Sequence, residues 1–404
     1  MIPGPRSLKT VYAGTTKKLC HVLFEEYPKD SRVRRYTNAL VDNGFTVYVV
    51  CLSTPGASFA ETRGSVKIYR IPLKKRRGGF VRRLWEYLLF QIAATAMVNF
   101  VALWHGARIF HIHTLPDFLV FSCLFPKLIG AQIILDFHEL FPEFMLQHKP
   151  SLKNSFMIRI LELQERLSFT FADKIITIHE PAMRILQARN GGPKPITVVM
   201  NAVDESEVVQ IKKEKTDRFK IIYNGTINFN LNLSFIIEAL SILKDSNPEI
   251  YEKMEFHLYG DGPDLKNILA CAARLNITHM YFNGRLEFSK MVKEIAASSL
   301  CILPPSKDIY SDLYYSLKLT EMIYWKVPVI ATRLNTYVRY YPEDCVLYFE
   351  SGNVVELAEK MVFAFNNPDK IQVLTENALR EYQKYNWEKM RDRYLRLIGS
   401  MITV

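Results

Sequence analysis

The six cysteines of this 404-residue chain include no CxxC pair and no cluster with histidine. A disulfide framework and a zinc site are therefore not expected, and thiols inside apolar strand-like runs act as small hydrophobes. A secretory signal is also lacking, because residues 1–18 are polar and broken by Gly and Pro where an apolar core would have to lie. Both absences fit a reducing cytosol. Acidic residues are in deficit, 41 against 52 basic ones, which leaves a formal charge of +11. Such a surface favours nucleotide phosphates, anionic lipid or nucleic acid. Nucleic acid is set aside because the basic stretch 74–83 carries one aromatic, Phe80, where base stacking needs several. The chain has no long apolar run free of polar residues. Residues 84–104 come nearest, but Glu86, Gln91 and Asn99 interrupt them, so they read as a crossover helix rather than a membrane span.

What is present is enough apolar sequence for two cores: 49% hydrophobic and 23% charged residues over a length typical of two domains. Short apolar runs at 19–24, 45–51, 66–71, 108–113, 132–136, 174–178 and 196–200 alternate with helical patterns, and Ser31 reads as the N-cap of a helix to Asp42. The alternation restarts at 220–223, 255–259, 279–282, 300–303 and 327–331, and the chain beyond Asn353 reads as helical throughout. Strands buried on both faces and separated by helices belong to parallel, doubly wound sheets. The expected organisation is a disordered start (1–18), a Rossmann-like domain (19–204), a linker (205–218), a second Rossmann-like domain (219–384) and a last helix (385–404), with a cleft between the domains.

The second domain is organised around residues 318–331, KLTEMIYWKVPVIA. Lys318 and Glu321 share one face of a helix start, where free N–H groups and the helix dipole favour a diphosphate. A carboxylate one turn further in can accept hydrogen bonds from a sugar diol. Ligands of open α/β sheets bind beyond the strand ends, and the turns there supply Gly225 and Thr226, Gly260-Asp261-Gly262, and Asn283-Gly284-Arg285. Gly225 lets the backbone approach a phosphate and Thr226 offers a hydroxyl; Asp261 reads either as a site residue or as a helix cap. In the first domain His111 and His113 fall on one strand face. With no third ligand at suitable spacing, the pattern favours a packed His111 and a cleft-facing, hydrogen-bonding His113 over a metal. Asp117 follows that strand, and His179 follows another.

Three segments carry a resemblance: SLKLTEMIYWKVPVIA, similar to a "PxKxxExxxxGxPVIA" pattern; Asp136-Phe137-His138-Glu139-Leu140, similar to a "DxHEL" turn; and Asp30-Ser31-Arg32, in the place of a Gly-Gly loop. Together they make the chain look like the retaining GT-B glycosyltransferases of the sucrose-synthase-like and cell-envelope group, from about Leu19 to the C-terminus. The resemblance implies that His138 faces the transferred sugar, with Glu139 beside it. Ser31 and Arg32 would face phosphate or acceptor, Arg285 would abut the base, and the last helix would return to the first domain. It implies a metal-independent, front-face transfer from a nucleoside diphosphate sugar to a glycan or polyprenyl-linked acceptor, with no cofactor. Apart from the resemblance, Lys74, Lys75, Arg76, Arg77, Arg82 and Arg83 beside the apolar helix read either as a basic apron for an anionic membrane surface, which would make the protein cytoplasmic and peripheral on the inner face, or as a solvated loop.

The chain departs from the family pattern in three places. An Arg and a Lys usual after the first glycine turn are Thr226 and Leu231, a donor-side Glu is Leu313 with Asp312 beside it, and a usual Gly is Lys326. Two other readings share the fold: a sugar-nucleotide epimerase, and a degenerate transferase kept as a binding subunit, which the missing cations favour.

Overall fold

The computed structural model describes residues 17–75, 80–153, 155–192, 194–203, 205 and 218–402. The start up to residue 16, Arg76 and Arg77 of the apron, and most of the linker lie outside the described residues. The chain divides into two compact units, one running to Asn201 and resuming at Glu388, the other spanning Ala202–Trp387.

In the first unit the strands are β1 (Lys18–Glu26), β2 (Thr46–Leu52), β3 (Ala60–Arg63), β4 (Val66–Ile71), β5 (Ile109–His113), β6 (Gln132–Phe137), β7 (Lys174–Thr177) and β8 (Ile196–Val198). They form one sheet in the order β3-β4-β2-β1-β5-β6-β7-β8, parallel except for β3. The near-continuous burial of β1, β2, β5 and β6 explains their unbroken apolar sequences. β3, an antiparallel edge strand of sequence AETR, has no apolar pattern and was not predicted.

The helices of this unit are α1 (Ser31–Asp42), α2 (Phe80–Trp104), α3 (Leu124–Leu128), α4 (Phe141–His148), α5 (Phe156–Phe171) and α6 (Glu180–Asn190). α2 is the predicted crossover. Its inner face buries Phe90, Ala94, Val98, Val101 and Ala102, so it belongs to the fold although its length and composition would also allow a span. Of the apron, Lys75 pairs with Glu25 at 2.8 Å, and Arg82 and Arg83 pair with Glu86 at 3.6 and 3.3 Å. The helical pattern between the apolar runs at 108–113 and 132–136 becomes a 3₁₀ segment, Asp117–Cys123, followed by the short α3.

The second unit contains β9 (Phe219–Thr226), β10 (Met254–Asp261), β11 (Met280–Gly284), β12 (Leu300–Leu303), β13 (Val329–Thr332) and β14 (Leu347–Phe349), all parallel in the order β11-β10-β9-β12-β13-β14. Its helices are α7 (Ser234–Ser246), α8 (Pro248–Tyr251), α9 (Leu265–Arg274), α10 (Phe288–Ala296), α11 (Leu317–Tyr324), α12 (Asn335–Tyr340), α13 (Val354–Asn366) and α14 (Pro368–Gln383). Both sheets are of the Rossmann-like, doubly wound kind.

The last helix, α15 (Trp387–Ile402), completes the first unit. Tyr394 stacks on Tyr36 of α1 at 4.1 Å between ring centres and its hydroxyl lies 3.1 Å from His111 Nδ1, while Met390, Ile398 and Met401 are buried.

Candidate functional site

In the second unit, adjacent parallel strands set two glycine turns side by side, with Gly225 in register with Gly260 and Thr226 with Asp261. Gly225 has φ +129° and Gly260 φ +132°, and a Cβ on Gly260 would run into the Gly225 carbonyl. A Cβ on Gly225 would overlap the end of the Lys318 side chain. The glycines thus let backbone pack on backbone and leave Lys318 lying directly over the first turn.

Lys318 is placed by its helix. Ser316 N-caps α11, accepting from the Leu319 N–H at 3.4 Å, and Lys318 follows in the first turn with its ammonium 5.5 Å from the centre of the Tyr223 ring. Burial lowers the Lys318 pKa, and the Glu321 carboxylate one turn on works against that shift. A partly desolvated ammonium at a helix N-terminus is an anion site. Beside it a cavity of about 350 Å³ is lined by Asn224, Gly225, Thr226, Tyr259, Asp261 and Arg285 among others. Asn224 Oδ1 is buried there with no partner among the described residues. Thr226 is exposed, and Arg285 approaches Asp261 at 3.4 Å with both side chains well exposed. Asp261 does not cap α9: its Oδ1 accepts from the Gly262 N–H at 2.8 Å, and Asp264 holds the cap position.

The sequence departures have structural outcomes as well. Asp312 does not stand in for the missing carboxylate, because its Oδ1 accepts from the Asn335 N–H at 2.6 Å and its Oδ2 from the Asn335 side chain. Leu231 lines a small apolar pocket beside Lys318. Lys326 has φ +55°, the left-handed conformation that favours glycine after a helix end.

In the first unit the candidates gather at the carboxyl ends of β1, β5 and β6. Arg32 in the first turn of α1 grips Asp136 with two bonds of 2.9 Å and donates to the Val199 carbonyl at 2.7 Å. A run of histidines follows, with His21 Nδ1 3.0 Å from His113 Nε2 and His113 Nδ1 3.1 Å from His138 Nε2. Burial opposes charge in this cluster. The His113 pKa falls to about 3 and that of His21 well below its ordinary value. Burial would raise the Asp136 carboxyl, but Arg32 and the surrounding histidines hold it well below the usual range. His138 is the accessible end of the run: its side chain keeps 19% of its exposure, and its backbone N–H donates to Thr114 Oγ1 at 3.1 Å.

Several expectations for this half are corrected. Arg32 and His113 do not face a cleft; both are buried, Arg32 as the ion-pair partner of Asp136 and His113 as the link between His21 and His138. Ser31 is the first helical residue, half-buried, while Asp30 is the cap, accepting from Arg32 N and Val33 N at 3.0 Å. Asp117 is buried with neither oxygen bonded among the described residues, and burial pushes its carboxyl well above its ordinary value. His179 is buried as the N-cap of α6, accepting from the Ala182 N–H at 3.1 Å. Glu139 remains half-buried beside His138. The third ligand that sequence spacing did not reveal for His111 and His113 is His21 of β1, and His113, Asp136 and His138 form a second group; in each the ligand atoms lie within 4.8 Å of one another. Arg32 occupies both oxygens of the Asp136 carboxylate, and His21, His113 and His138 are hydrogen-bonded to one another in a relay.

Two family models cover most of the chain. Residues 30–202 match a glycosyl transferase 4-like domain and residues 218–367 match glycosyl transferases group 1. The chain belongs to the GT-B glycosyltransferase family. A relative, the probable glycosyltransferase WbjE of Pseudomonas aeruginosa, is 20% identical over 209 residues, 48% of this chain and 51% of that protein. The chain thus spans about half the length of that relative. Solved structures similar to it include sucrose-phosphate synthase from Thermosynechococcus elongatus, at TM-score 0.75 and 15% identity over 96% of this chain and 99% of that one. The HepE protein of Anabaena in complex with UDP gives TM-score 0.66 and 12% identity over 95% and 100%. These likenesses speak for the fold. Sequence reasoning missed the pairing of Arg32 with Asp136, although both stand in the segments that carry the resemblance, and it missed His21, Asn224 and Tyr394 as site residues. The register of β1, β5 and β6 brings His21, His111, His113 and Asp136 together, and the first turn of α1 adds Arg32.

Proposed function

We propose that this GT-B glycosyltransferase moves a hexose-type unit from a nucleoside diphosphate sugar to a glycan or polyprenyl-linked acceptor in cell-envelope polysaccharide or glycolipid synthesis. It would do so with retention of anomeric configuration, at the cytoplasmic face of the membrane. The observation that carries the reading is Lys318, half desolvated at the start of α11 and lying over the Gly225 turn, with Glu321 one turn further on. In this reading the ammonium and the helix end compensate the leaving diphosphate in place of a metal. Glu321 holds the ribose diol, and the cavity bounded by Asn224, Tyr259 and Arg285 receives the rest of the nucleotide. Support comes from the two family models and from a similar structure solved with UDP. His138 stands as the sugar-facing residue, its imidazole oriented by His113 and by the Asp136–Arg32 pair behind it. The leaving phosphate takes the acceptor proton and the protein supplies position and charge.

A second reading, a degenerate binding subunit, draws on Thr226, on Leu231 in its apolar pocket and on the engaged Asp312. A panel of nucleoside diphosphate sugars, scored by thermal shift and by hydrolysis or transfer, separates the two. Transfer with retained configuration is the expected result. A stabilising nucleotide with no turnover across the panel identifies the binding subunit, and inverted product overturns the retaining assignment. His138→Ala should lower turnover far more than nucleotide affinity.

A further inference from the structure

One surface of the first unit has no place in the transfer reading. α2 turns its inner side to the sheet, yet its outer positions 85, 88, 92, 96, 100 and 103 are all apolar and all exposed. That spacing is a continuous stripe along a helix of 25 residues. α5 repeats the pattern at 156, 160, 163 and 167. The 3₁₀ segment before α3 packs against α2 on one side and against α5 on the other, and α3 itself contacts α2, so the three helices lie side by side. Sixteen of the seventeen large apolar side chains exposed on this unit, among the described residues, belong to α2, to α3 with its C-cap Ile129, or to α5. Ile92 is 70% exposed, Trp104 80%, Leu128 77% and Phe156 77%. Soluble monomers rarely leave so much contiguous apolar surface to water.

The charges on the same helices decide what covers it. Their exposed residues include Arg82, Arg159 and Arg166, against a single half-exposed carboxylate, Glu162. Glu162 of α5 is turned toward Arg189, 3.9 Å away, and Glu86 of α2 is drawn in toward Arg82 and Arg83. A second copy of the chain would bring arginines against arginines with only Glu162, already turned toward Arg189, to receive them. An anionic lipid headgroup offers the missing charge, while the acyl region accepts the stripe. Trp85 and Trp104 stand near opposite ends of α2, and tryptophan is a side chain that settles at a membrane–water boundary.

We infer that the outer faces of α2, α3 and α5 form a monotopic membrane-docking surface that inserts apolar side chains shallowly among anionic lipids. This inference stands apart from the sugar-donor reading, and it differs from docking through the basic apron alone. Three of the apron's described cations already have carboxylate partners, so insertion rather than charge supplies most of the hold. High salt should therefore weaken only the lipid-charge increment.

The test is flotation of the full chain with vesicles of phosphatidylcholine, and of phosphatidylcholine and phosphatidylglycerol in equal parts. Native protein should float with both and partition more strongly to the second. Tryptophan emission should shift to the blue and be quenched by lipids brominated near the headgroup, and Trp85→Phe with Trp104→Phe should remove most of that signal. The variant Ile92→Ser, Trp104→Ser, Leu128→Ser, Phe156→Ser replaces only exposed groups. It should lose about 100-fold in partitioning while its melting temperature holds. Native protein that floats with neither vesicle, or a variant that floats equally well, overturns the inference. So does a native dimer that the variant converts to a monomer without any lipid binding, which would make the face a self-association surface.

Discussion

At the scale of single residues, the proposed donor site turns on Lys318, Gly225 and Glu321. Glu321→Ala should leave the fold intact and weaken nucleotide binding by about 1.5–3 kcal/mol, the range for hydrogen bonds to a charged acceptor. Calorimetric titration with the preferred nucleotide checks it, and unchanged affinity would remove Glu321 from the site. Gly225→Ala tests the crowding over the turn. A methyl there would displace the Lys318 side chain and impose a backbone angle of +129° on a non-glycine residue. Nucleotide affinity should fall at least as far as in Lys318→Ala, with a loss of stability as well. The helix start that carries Lys318 and Glu321 and the glycine turn at Gly225 were legible in the sequence because helix period and turn chemistry are local properties. The roles of Arg32 and His113 were not, because burial decides them. Arg32 reads as a surface cation at a helix start until Asp136, more than a hundred residues away in sequence, is placed 2.9 Å from its guanidinium.

At the scale of elements, α11 shows how a helix that positions a site is ended as well as begun. Ser316 caps its start, and Lys326 reverses the chain after its end at φ +55°. Lys326→Gly should raise stability by up to about 1 kcal/mol, since the left-handed conformation costs a side chain about 1–2 kcal/mol and glycine returns part of that gain as chain entropy. Chemical denaturation checks it, and a destabilised variant would mean that the Lys326 side chain contributes packing of larger value. The sheets were readable because central parallel strands are apolar on both faces. The elements missed are those for which that rule fails: β3 at an edge, β14 of three residues, and α4, which begins inside the histidine loop with a proline in its first turn. The 3₁₀ segment at Asp117 carried a helical pattern in sequence but winds more tightly.

For the molecule as a whole, the buried histidines set an acid limit. His21, His111 and His113 are all held below the ordinary histidine value by burial, and the His113 pKa lies at about 3. Between about pH 6.5 and that value the unfolded chain binds more protons than the folded one, so stability should fall as the pH is lowered through this window. Asp136 acts in the opposite corner. Its contribution is present above the unfolded carboxylate value of about 3.9 and is lost only as the pH falls through its lower folded value. The melting temperature should thus decline from neutral pH downward, and His113→Gln should flatten the decline; an equal slope in the variant would mean that His113 titrates normally. The return of α15 to the first unit has a consequence for biogenesis. Tyr36 and His111 wait for Tyr394, so the unit that leaves the ribosome first is finished last, after the second unit has had time to fold. A nascent chain stalled before Glu388 should hold a protease-resistant second half and a first half that is still digestible, and release of the remaining residues should protect both.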